Sequence, residues 1–225
     1  QTVTVGGIPS GGGLVDLAHG NGMYVAPLEL GWLTSPDGVN WTARPSPTPV
    51  GGGTLSAATG VAFVNGVFVA SFGSVSTVTS VFRSTDGLTW TPVPSLTQFG
   101  GYTRVFVFNN QFVIYERSNT NLATFGQALV STDGVTWTRS GATNNPIASS
   151  GVTGVGPAYR VAAAGVSGLG IFRIAMTTNN AAFTEIGSMP INRMVDRGFA
   201  VGATTIVGYT STSQIVVGDA PAAAP

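Results

Sequence analysis

The sequence predicts an all-β chain folded as a five-bladed β-propeller of four-stranded antiparallel blades, with the ring closed by the N-terminal strand. A turn motif returns at nearly constant spacing, because Trp41, Trp90, Trp137 and Phe183 lie 49, 47 and 46 residues apart. A period in this range indicates a solenoid, a propeller or an array. The N-terminal segment Thr2–Gly7 aligns with Thr136–Gly141, so the repeat returns to its start. The 32 glycines and the lack of a sustained helical periodicity argue against a helical repeat.

The second repeat shows how one blade divides into four strands. Two predicted strands, Gly60–Val64 and Val67–Ser71, flank the dipeptide Asn65-Gly66. Two more, Val81–Ser84 and Leu88–Thr91, flank the dipeptide Asp86-Gly87. Both dipeptides accept the positive φ angles of tight hairpin turns, so the pattern predicts a four-stranded antiparallel meander.

The other repeats follow the same plan in chain order. Blade 1 spans about 12–45, blade 2 about 56–94 and blade 3 about 101–141. Blades 1 and 3 carry the first-turn signals Asn21-Gly22 and Asn109-Asn110, and the second-turn signals Asp37-Gly38 and Asp133-Gly134. These three repeats therefore predict three closely similar blades.

The last two blades carry weaker turn signals. Blade 4 spans about 149–187, and its first turn drifts to Gly156-Pro157. Blade 5 spans about 195–218, with Ala203-Thr204 at the turn, and takes its outermost strand from Thr2–Val5. Because this strand would join the two ends of the chain, residues 1–225 are predicted to form a single domain. The radial arrangement leaves only short, protected sheet edges.

The composition limits the kinds of partner. Charged residues make up 8% of the chain, and nine basic residues, all arginine, balance nine acidic ones. This balance does not favour nucleic acid or an anionic membrane, and no apolar run is long enough to span a bilayer. Cysteine is absent, so disulfides and thiolate metal sites are excluded. A nearly neutral surface mildly favours a molecule that works within an assembly.

The turn motif resembles the Asp-box repeat of the sialidase and BNR-repeat β-propellers. The residues that carry the resemblance are Ser35, Asp37, Trp41, Ser84, Asp86, Trp90, Ser131, Asp133, Trp137 and, in a weaker fourth copy, Phe183. In that family the motif is a structural element of the turn between the two outer strands, and the propeller usually has six blades. This chain departs from the pattern by lacking a residue between Asp and Gly. The resemblance therefore implies a fold rather than an activity.

Sialidase chemistry, as the resemblance implies it, needs an arginine triad, a paired Tyr and Glu, and an Asp acid. The adjacent residues Tyr115 and Glu116 would point to opposite faces of a strand, so they do not form such a pair. Five-bladed furanosidases place carboxylates on successive inner strands, where only Asp16 and Asp196 come close. Glycoside hydrolysis requires a pair of carboxylates. We therefore assign no catalytic residue, and a hydrolase is the least favoured function.

Several residues are candidates for ligand binding near the central channel. Arg104 and Arg197 lie on or just before inner strands and could attract a carboxylate or sulfate, although pairing with Asp16 and Asp196 is the alternative. Tyr102 and Trp32 are aromatic candidates at loop mouths, where they could contact a glycan. The single histidine, His19, has no second His or Cys to complete a metal site, so no metal or cofactor is predicted.

These observations favour a non-catalytic virion component, such as a phage tail, spike or capsid-decorating propeller. The chain would bind other virion proteins or copies of itself, with a host surface glycan as a further partner. A secreted glycan-binding lectin is the main alternative, and a sialidase-like or furanosidase-like hydrolase is the third. The predicted location is the virion or the extracellular space. Because β-propellers host many functions, the choice among these three functions depends on the residues of a functional site.

Overall fold

The structure is a computed structural model that describes residues 13–28, 31–49, 55, 57–73, 81–94, 104–115 and 128–139, and the backbone of seven strands within residues 152–219. The chain divides into two compact units. The first contains Gln1–Asn119 and Leu129–Arg139, and the second contains Thr120–Ala128 and Ser140–Pro225. No described residue lies in an α-helix, so this part of the chain has no helix that could cross a membrane. The single domain over residues 1–225 stays a prediction.

The described strands of the first unit form three four-stranded antiparallel sheets, and strands that follow one another in sequence are paired. The first sheet contains β1 (Ala18–Gly20), β2 (Met23–Pro27), β3 (Trp32–Ser35) and β4 (Thr42–Arg44). The second sheet contains β5 (Ala58–Val64), β6 (Val67–Phe72), β7 (Val81–Ser84) and β8 (Thr91–Pro92). The third sheet contains β9 (Phe106–Phe108), β10 (Gln111–Tyr115), β11 (Ala128–Ser131) and β12 (Thr138–Arg139).

The second unit has one four-stranded and one three-stranded antiparallel sheet among its described strands. The four-stranded sheet contains β13 (Val152–Val155), β14 (Arg160–Val166), β15 (Ile171–Thr177) and β16 (Thr184–Pro190). The three-stranded sheet contains β17 (Val195–Val201), β18 (Thr205–Thr210) and β19 (Ile215–Asp219). Strand β13 lies beside β17. The predicted closing strand Thr2–Val5 lies outside the described residues, so the closed ring of five blades stays a prediction.

The first turn of each sheet in the first unit is the predicted two-residue hairpin. Gly20 pairs with Met23, Val64 with Val67, and Phe108 with Gln111. Both central residues have positive φ angles in all three turns: Asn21 (47°) and Gly22 (73°), Asn65 (53°) and Gly66 (76°), and Asn109 (51°) and Asn110 (57°). Asparagine and glycine tolerate this left-handed conformation, whose twist matches that of paired strands.

The second turn is wider than predicted. Residues Leu88–Trp90 belong to the turn, and β8 begins at Thr91, so the predicted strand Leu88–Thr91 is wrong. Of the motif's Asp-Gly residues, only the glycines, Gly38, Gly87 and Gly134, have positive φ angles. A network of side-chain hydrogen bonds holds this longer turn together, which a dipeptide pattern alone does not reveal.

That network recurs in the three sheets with the same geometry. In the second sheet the Ser84 Oγ accepts hydrogen bonds from the backbone N–H of Asp86 (3.3 Å) and Gly87 (2.8 Å), and the Ser84 hydroxyl donates to Asp86 Oδ1 (2.9 Å). Asp86 Oδ1 also accepts from the N–H of Leu88 (2.8 Å) and Thr89 (2.7 Å). The bonds of Ser35 and Asp37, and those of Ser131 and Asp133, match these closely. The repeat residues therefore hold the turns.

The core of the first unit lies between neighbouring sheets. Strand β6 is buried along its whole length, and alternate residues face opposite sides of a strand. Phe68, Ala70 and Phe72 pack with Val25 and Trp32 of the first sheet. Val67 and Val69 pack with residues of the third sheet, among them Val105, Phe112 and Leu129. The second sheet is thus held on both faces by its neighbours.

The aromatic residues of the turn motif lie at the edges of these clusters. Trp41, Trp90 and Trp137 are half-buried and pack against the neighbouring apolar residues. The indole N–H of Trp41 donates to the Gly38 carbonyl (3.0 Å), and that of Trp137 donates to the Gly134 carbonyl (3.2 Å). The indole N–H groups of Trp41 and Trp137 are therefore paired within their own turns. Phe183 lies outside the described residues.

Candidate functional site

The first candidate site is built from the same position in three successive repeats. Asp16, Gly60 and Arg104 each lie eight residues before the aromatic residue that follows the first turn, namely Tyr24, Phe68 and Phe112. Gly60 lies in β5, the first strand of the second sheet. Asp16 and Arg104 lie two residues before β1 and β9, the first strands of the other two sheets. Because β1 is a neighbour of β5, and β5 is a neighbour of β9, these three positions come together.

Asp16 and Arg104 form a two-point ion pair. Arg104 Nη2 donates to Asp16 Oδ1 at 2.6 Å, and Arg104 Nε donates to Asp16 Oδ2 at 3.0 Å. The carboxylate also accepts from the N–H of Leu17 (3.0 Å) and of Val61 (3.1 Å). Arginine and carboxylate match in this parallel geometry, which fixes their orientation as well as their separation. The sequence left two alternatives for Arg104, namely binding of a ligand or pairing with Asp16, and in the structure it pairs with Asp16.

Gly60 lies between the two charged residues, and its lack of a side chain makes room for the pair. A Cβ atom at this position would lie 2.5 Å from Arg104 Cγ and 3.2 Å from Asp16 Oδ2. Real Cβ atoms essentially never approach other atoms as closely as 2.5 Å. The arginine of the third repeat therefore reaches the aspartate of the first only because the second repeat has a glycine there. The Asp16 side chain is 9% exposed, and the Arg104 side chain is 53% exposed.

The remaining binding candidates are not brought to this site. Trp32 is 2% exposed and stacks on Trp90, with ring centroids 4.7 Å apart, so it belongs to the core rather than to a loop mouth. Arg197 lies in β17 of the second unit, where β17 and β18 shift register, and its side chain is outside the description. Tyr102 lies outside the described residues. The described side chains contain no group of three or more residues that could hold a metal ion.

The first sheet carries a stacked aromatic pair, of which His19 is exposed and Tyr24 is half-buried. The His19 ring is exposed and stacks on Tyr24, with ring centroids 4.1 Å apart and planes 29° apart. Tyr24 in turn lies 6.3 Å from Trp41. The equivalent positions of the second repeat hold Phe63 and Phe68, whose rings pack among apolar residues. The first sheet thus has polar-tipped aromatic residues where the second has phenylalanines.

Sequence reasoning missed a contact between the sheets that is made by the hairpin asparagines. Asn21 Nδ2 donates to the carbonyl oxygens of Gly66 (2.9 Å) and Thr85 (2.8 Å) in the second sheet. Asn65 Nδ2 makes the equivalent bonds to Asn110 (3.1 Å) and Thr132 (3.0 Å) in the third sheet. We call these contacts the Asn21 and Asn65 clamps. Their only sequence signal is that asparagine recurs at a 44-residue interval.

The motif aspartates have lowered pKa values. Burial opposes ionisation of Asp86, but hydrogen bonds from Thr89, Leu88 and Ser84 lower its pKa from 3.8 to about 2. Hydrogen bonds from the N–H groups of Val135 and Thr136 lower the pKa of Asp133 to about 2 against the opposing effect of burial. The backbone and side chain of Asn40 hold the pKa of Asp37 well below its ordinary value. A carboxylate with several donors is stabilised in its charged form.

These shifts predict acid sensitivity of the first unit. A carboxyl group with a lower pKa in the folded state stabilises the fold fully above its unfolded pKa, and that contribution is lost as the pH falls through the folded pKa. We therefore expect the free energy of unfolding to fall between about pH 4 and pH 2. Asp86→Asn and Asp133→Asn should each flatten this dependence in urea unfolding followed across that range. An unchanged slope in the double variant would contradict the assignment.

The comparisons with known proteins show the fold. No protein-family model matches the chain, and no curated protein sequence matches it. A structure of YCF48 bound to a D1 peptide is similar with a TM-score of 0.62 and 13% identity, over 96% of this chain and 68% of that chain. The WD40 β-propeller domain of Doa1 has a TM-score of 0.56 and 13% identity, over 93% and 65%. These likenesses show a β-propeller fold.

A glycoside hydrolase is also among the similar structures. Zg3597, a family 117 enzyme from Zobellia galactanivorans, has a TM-score of 0.52 and 13% identity, over 89% of this chain and 81% of that chain. At this level of identity the likeness concerns the fold alone, and function belongs to a site. The sialidase or BNR type of repeat remains a resemblance of the turn motif.

Proposed function

We propose that this chain is a non-catalytic binding and assembly module of a virion, such as a tail, spike or capsid-decorating propeller. The observation that supports a non-catalytic role is how the described carboxylates are used. Asp16 is paired with Arg104 and two backbone N–H groups, and Asp37, Asp86 and Asp133 hold turns. General acid catalysis on a sugar needs a carboxyl group aimed at the substrate together with a second carboxylate. These four carboxylates are engaged in holding the protein together.

The amino-acid composition supports the proposed location in a virion. The chain has no lysine and no cysteine, and its net charge is zero. Such a surface has little charge repulsion between copies, which suits a protein packed beside other virion proteins or copies of itself. A host surface glycan is a further proposed partner.

Mass spectrometry of purified virions tests this proposal. We expect peptides of the chain to co-purify with the particles through a density gradient and to be depleted from the particle-free culture supernatant. A known secreted protein of the same culture serves as the control, since it should show the opposite distribution. Peptides found in the supernatant alone would contradict the virion assignment.

A secreted glycan-binding lectin is the second candidate, and the stacked pair of the exposed His19 and the half-buried Tyr24 favours it. Aromatic rings with polar tips suit a surface that contacts both the apolar face and the hydroxyl groups of a sugar. If the chain is a lectin, a glycan array should give binding that Tyr24→Ala removes. Val39→Ala, an exposed position of the same sheet, should leave that binding unchanged. No binding to any glycan would remove this candidate.

A glycoside hydrolase is the least favoured candidate. We expect no turnover of sialosides or arabinofuranosides by the purified chain. Asp16→Ala is expected to reduce stability, because it leaves Arg104 without its partner. Measurable hydrolysis that Asp16→Ala abolishes in folded protein would establish the enzyme and contradict the proposed role.

A further inference from the structure

We infer that Asn21 and Asn65 are deamidation sites that the clamps protect, and that deamidation at either site opens the junction between neighbouring sheets. The chain has two Asn-Gly sequences, Asn21-Gly22 and Asn65-Gly66, and both form described hairpin turns. Glycine has no side chain to hinder its backbone nitrogen, so an Asn-Gly sequence is the most open to attack on the asparagine side chain. All four residues are exposed to water.

The reaction is a cyclisation followed by hydrolysis. The glycine backbone nitrogen forms a bond with the asparagine Cγ, and the bond from Cγ to Nδ2 breaks. Nδ2 leaves as ammonia, taking up the proton that the backbone nitrogen loses. Water then opens the five-membered succinimide at either carbonyl, which gives aspartate or isoaspartate. No reactant other than water is needed.

The clamps oppose the first step in the folded protein. Nδ2 of Asn65 is held between two carbonyl oxygens of the third sheet, at 3.1 and 3.0 Å, and Nδ2 of Asn21 is held in the same way on the second sheet. The side chain must leave these acceptors before the amide can turn towards the glycine nitrogen. The loss of two hydrogen bonds lowers the population of the state with a released side chain by at least roughly tenfold relative to a side chain without these bonds.

The product cannot restore the clamp. An aspartate side chain at position 65 would place a carboxylate, which is an acceptor only, against the carbonyl oxygens of Asn110 and Thr132. Two hydrogen bonds would become two repulsive contacts at the same junction. Isoaspartate would also add a methylene group to the backbone, which the two-residue turn cannot accommodate. The modification is therefore expected to weaken the packing of one sheet on the next.

Peptide mapping of aged protein tests the protection. The intact chain is incubated in mildly alkaline buffer with and without urea, and the acid content at each asparagine is followed by mass spectrometry. We expect both Asn-Gly sites to react in urea, and to react at least about tenfold more slowly in the folded protein. Equal rates at Asn65 in the two conditions would overturn the inference.

Two further measurements test the consequence. Asn65→Asp should lower the melting temperature, whereas Gln111→Glu should leave it nearly unchanged. Gln111 is the matched control because the substitution makes the same change from amide to carboxylate at the start of β10, and Gln111 is neither a donor nor an acceptor of the described clamps. If Asn65→Asp does not fold, the deamidated fraction of aged protein can be separated by isoelectric focusing, since one added charge is large for a chain of net charge zero. A deamidated fraction that melts like the intact protein would contradict the inference.

Discussion

Phe68→Ala is expected to lower the free energy of unfolding of the first unit by about 3–5 kcal/mol. The Phe68 side chain is 0% exposed, and its ring lies 4.6 Å from that of Phe63 and 6.4 Å from that of Trp90. It belongs to the cluster that joins the first and second sheets, so its loss leaves a cavity between them. Urea unfolding followed by tryptophan fluorescence is a direct measurement, because Trp32 and Trp90 lie in the same cluster.

Leu88→Ala is the matched control in the same sheet. Leu88 is 45% exposed, and its side chain lies in the turn. Exposed substitutions away from special features usually change stability by less than about 0.5 kcal/mol. Similar losses for the two variants would show that the cluster between the sheets does not carry the stability of this unit.

Gly60→Ala has the second largest expected effect, a loss of about 1–3 kcal/mol from the extra methyl group. The new Cβ would overlap Arg104 Cγ and crowd Asp16 Oδ2, so the ion pair must separate or the inner strands must shift. Gly60→Ala is measured by urea unfolding in the native background and in the Arg104→Ala background. We expect the loss to be smaller in the second, because the closest contact is gone.

The double-mutant cycle distinguishes this steric account from a simple loss of backbone freedom. A strand glycine that matters only for its own conformation would lose the same free energy in both backgrounds. Equal losses would therefore contradict the proposed role of Gly60 as the space through which Arg104 reaches Asp16.

The sequence predicted the local features well where one dipeptide determines the backbone. Asn65-Gly66 forms its tight turn because both residues tolerate positive φ angles, and β7 has the predicted bounds Val81–Ser84. The second turn was predicted too short, because the Ser84 and Asp86 side chains replace strand pairing over several residues. The pattern shows that a turn exists there, whereas its width depends on where those side-chain bonds end.

The site was predicted in part. Asp16 and Arg104 were both identified, and their pairing was one of two alternatives. The role of Gly60 was missed, because an absent side chain gives no chemical signal until three repeats are aligned. The assignment of Trp32 to a loop mouth is wrong. Trp32 is buried against Trp90, which is distant in sequence, and a local sequence pattern does not show such a tertiary contact.

The asparagine clamps have a consequence for how such a protein can grow. Each of the first two sheets carries the donating amide for the sheet that follows it, and the second and third carry the accepting carbonyls for the sheet before. A tandem copy of the second repeat, which carries both the donating Asn65 and the accepting carbonyls of Gly66 and Thr85, would therefore arrive with both halves of its own junctions. The new copy could dock on its neighbours without any further mutation, so the number of repeats can change faster than the contacts between them.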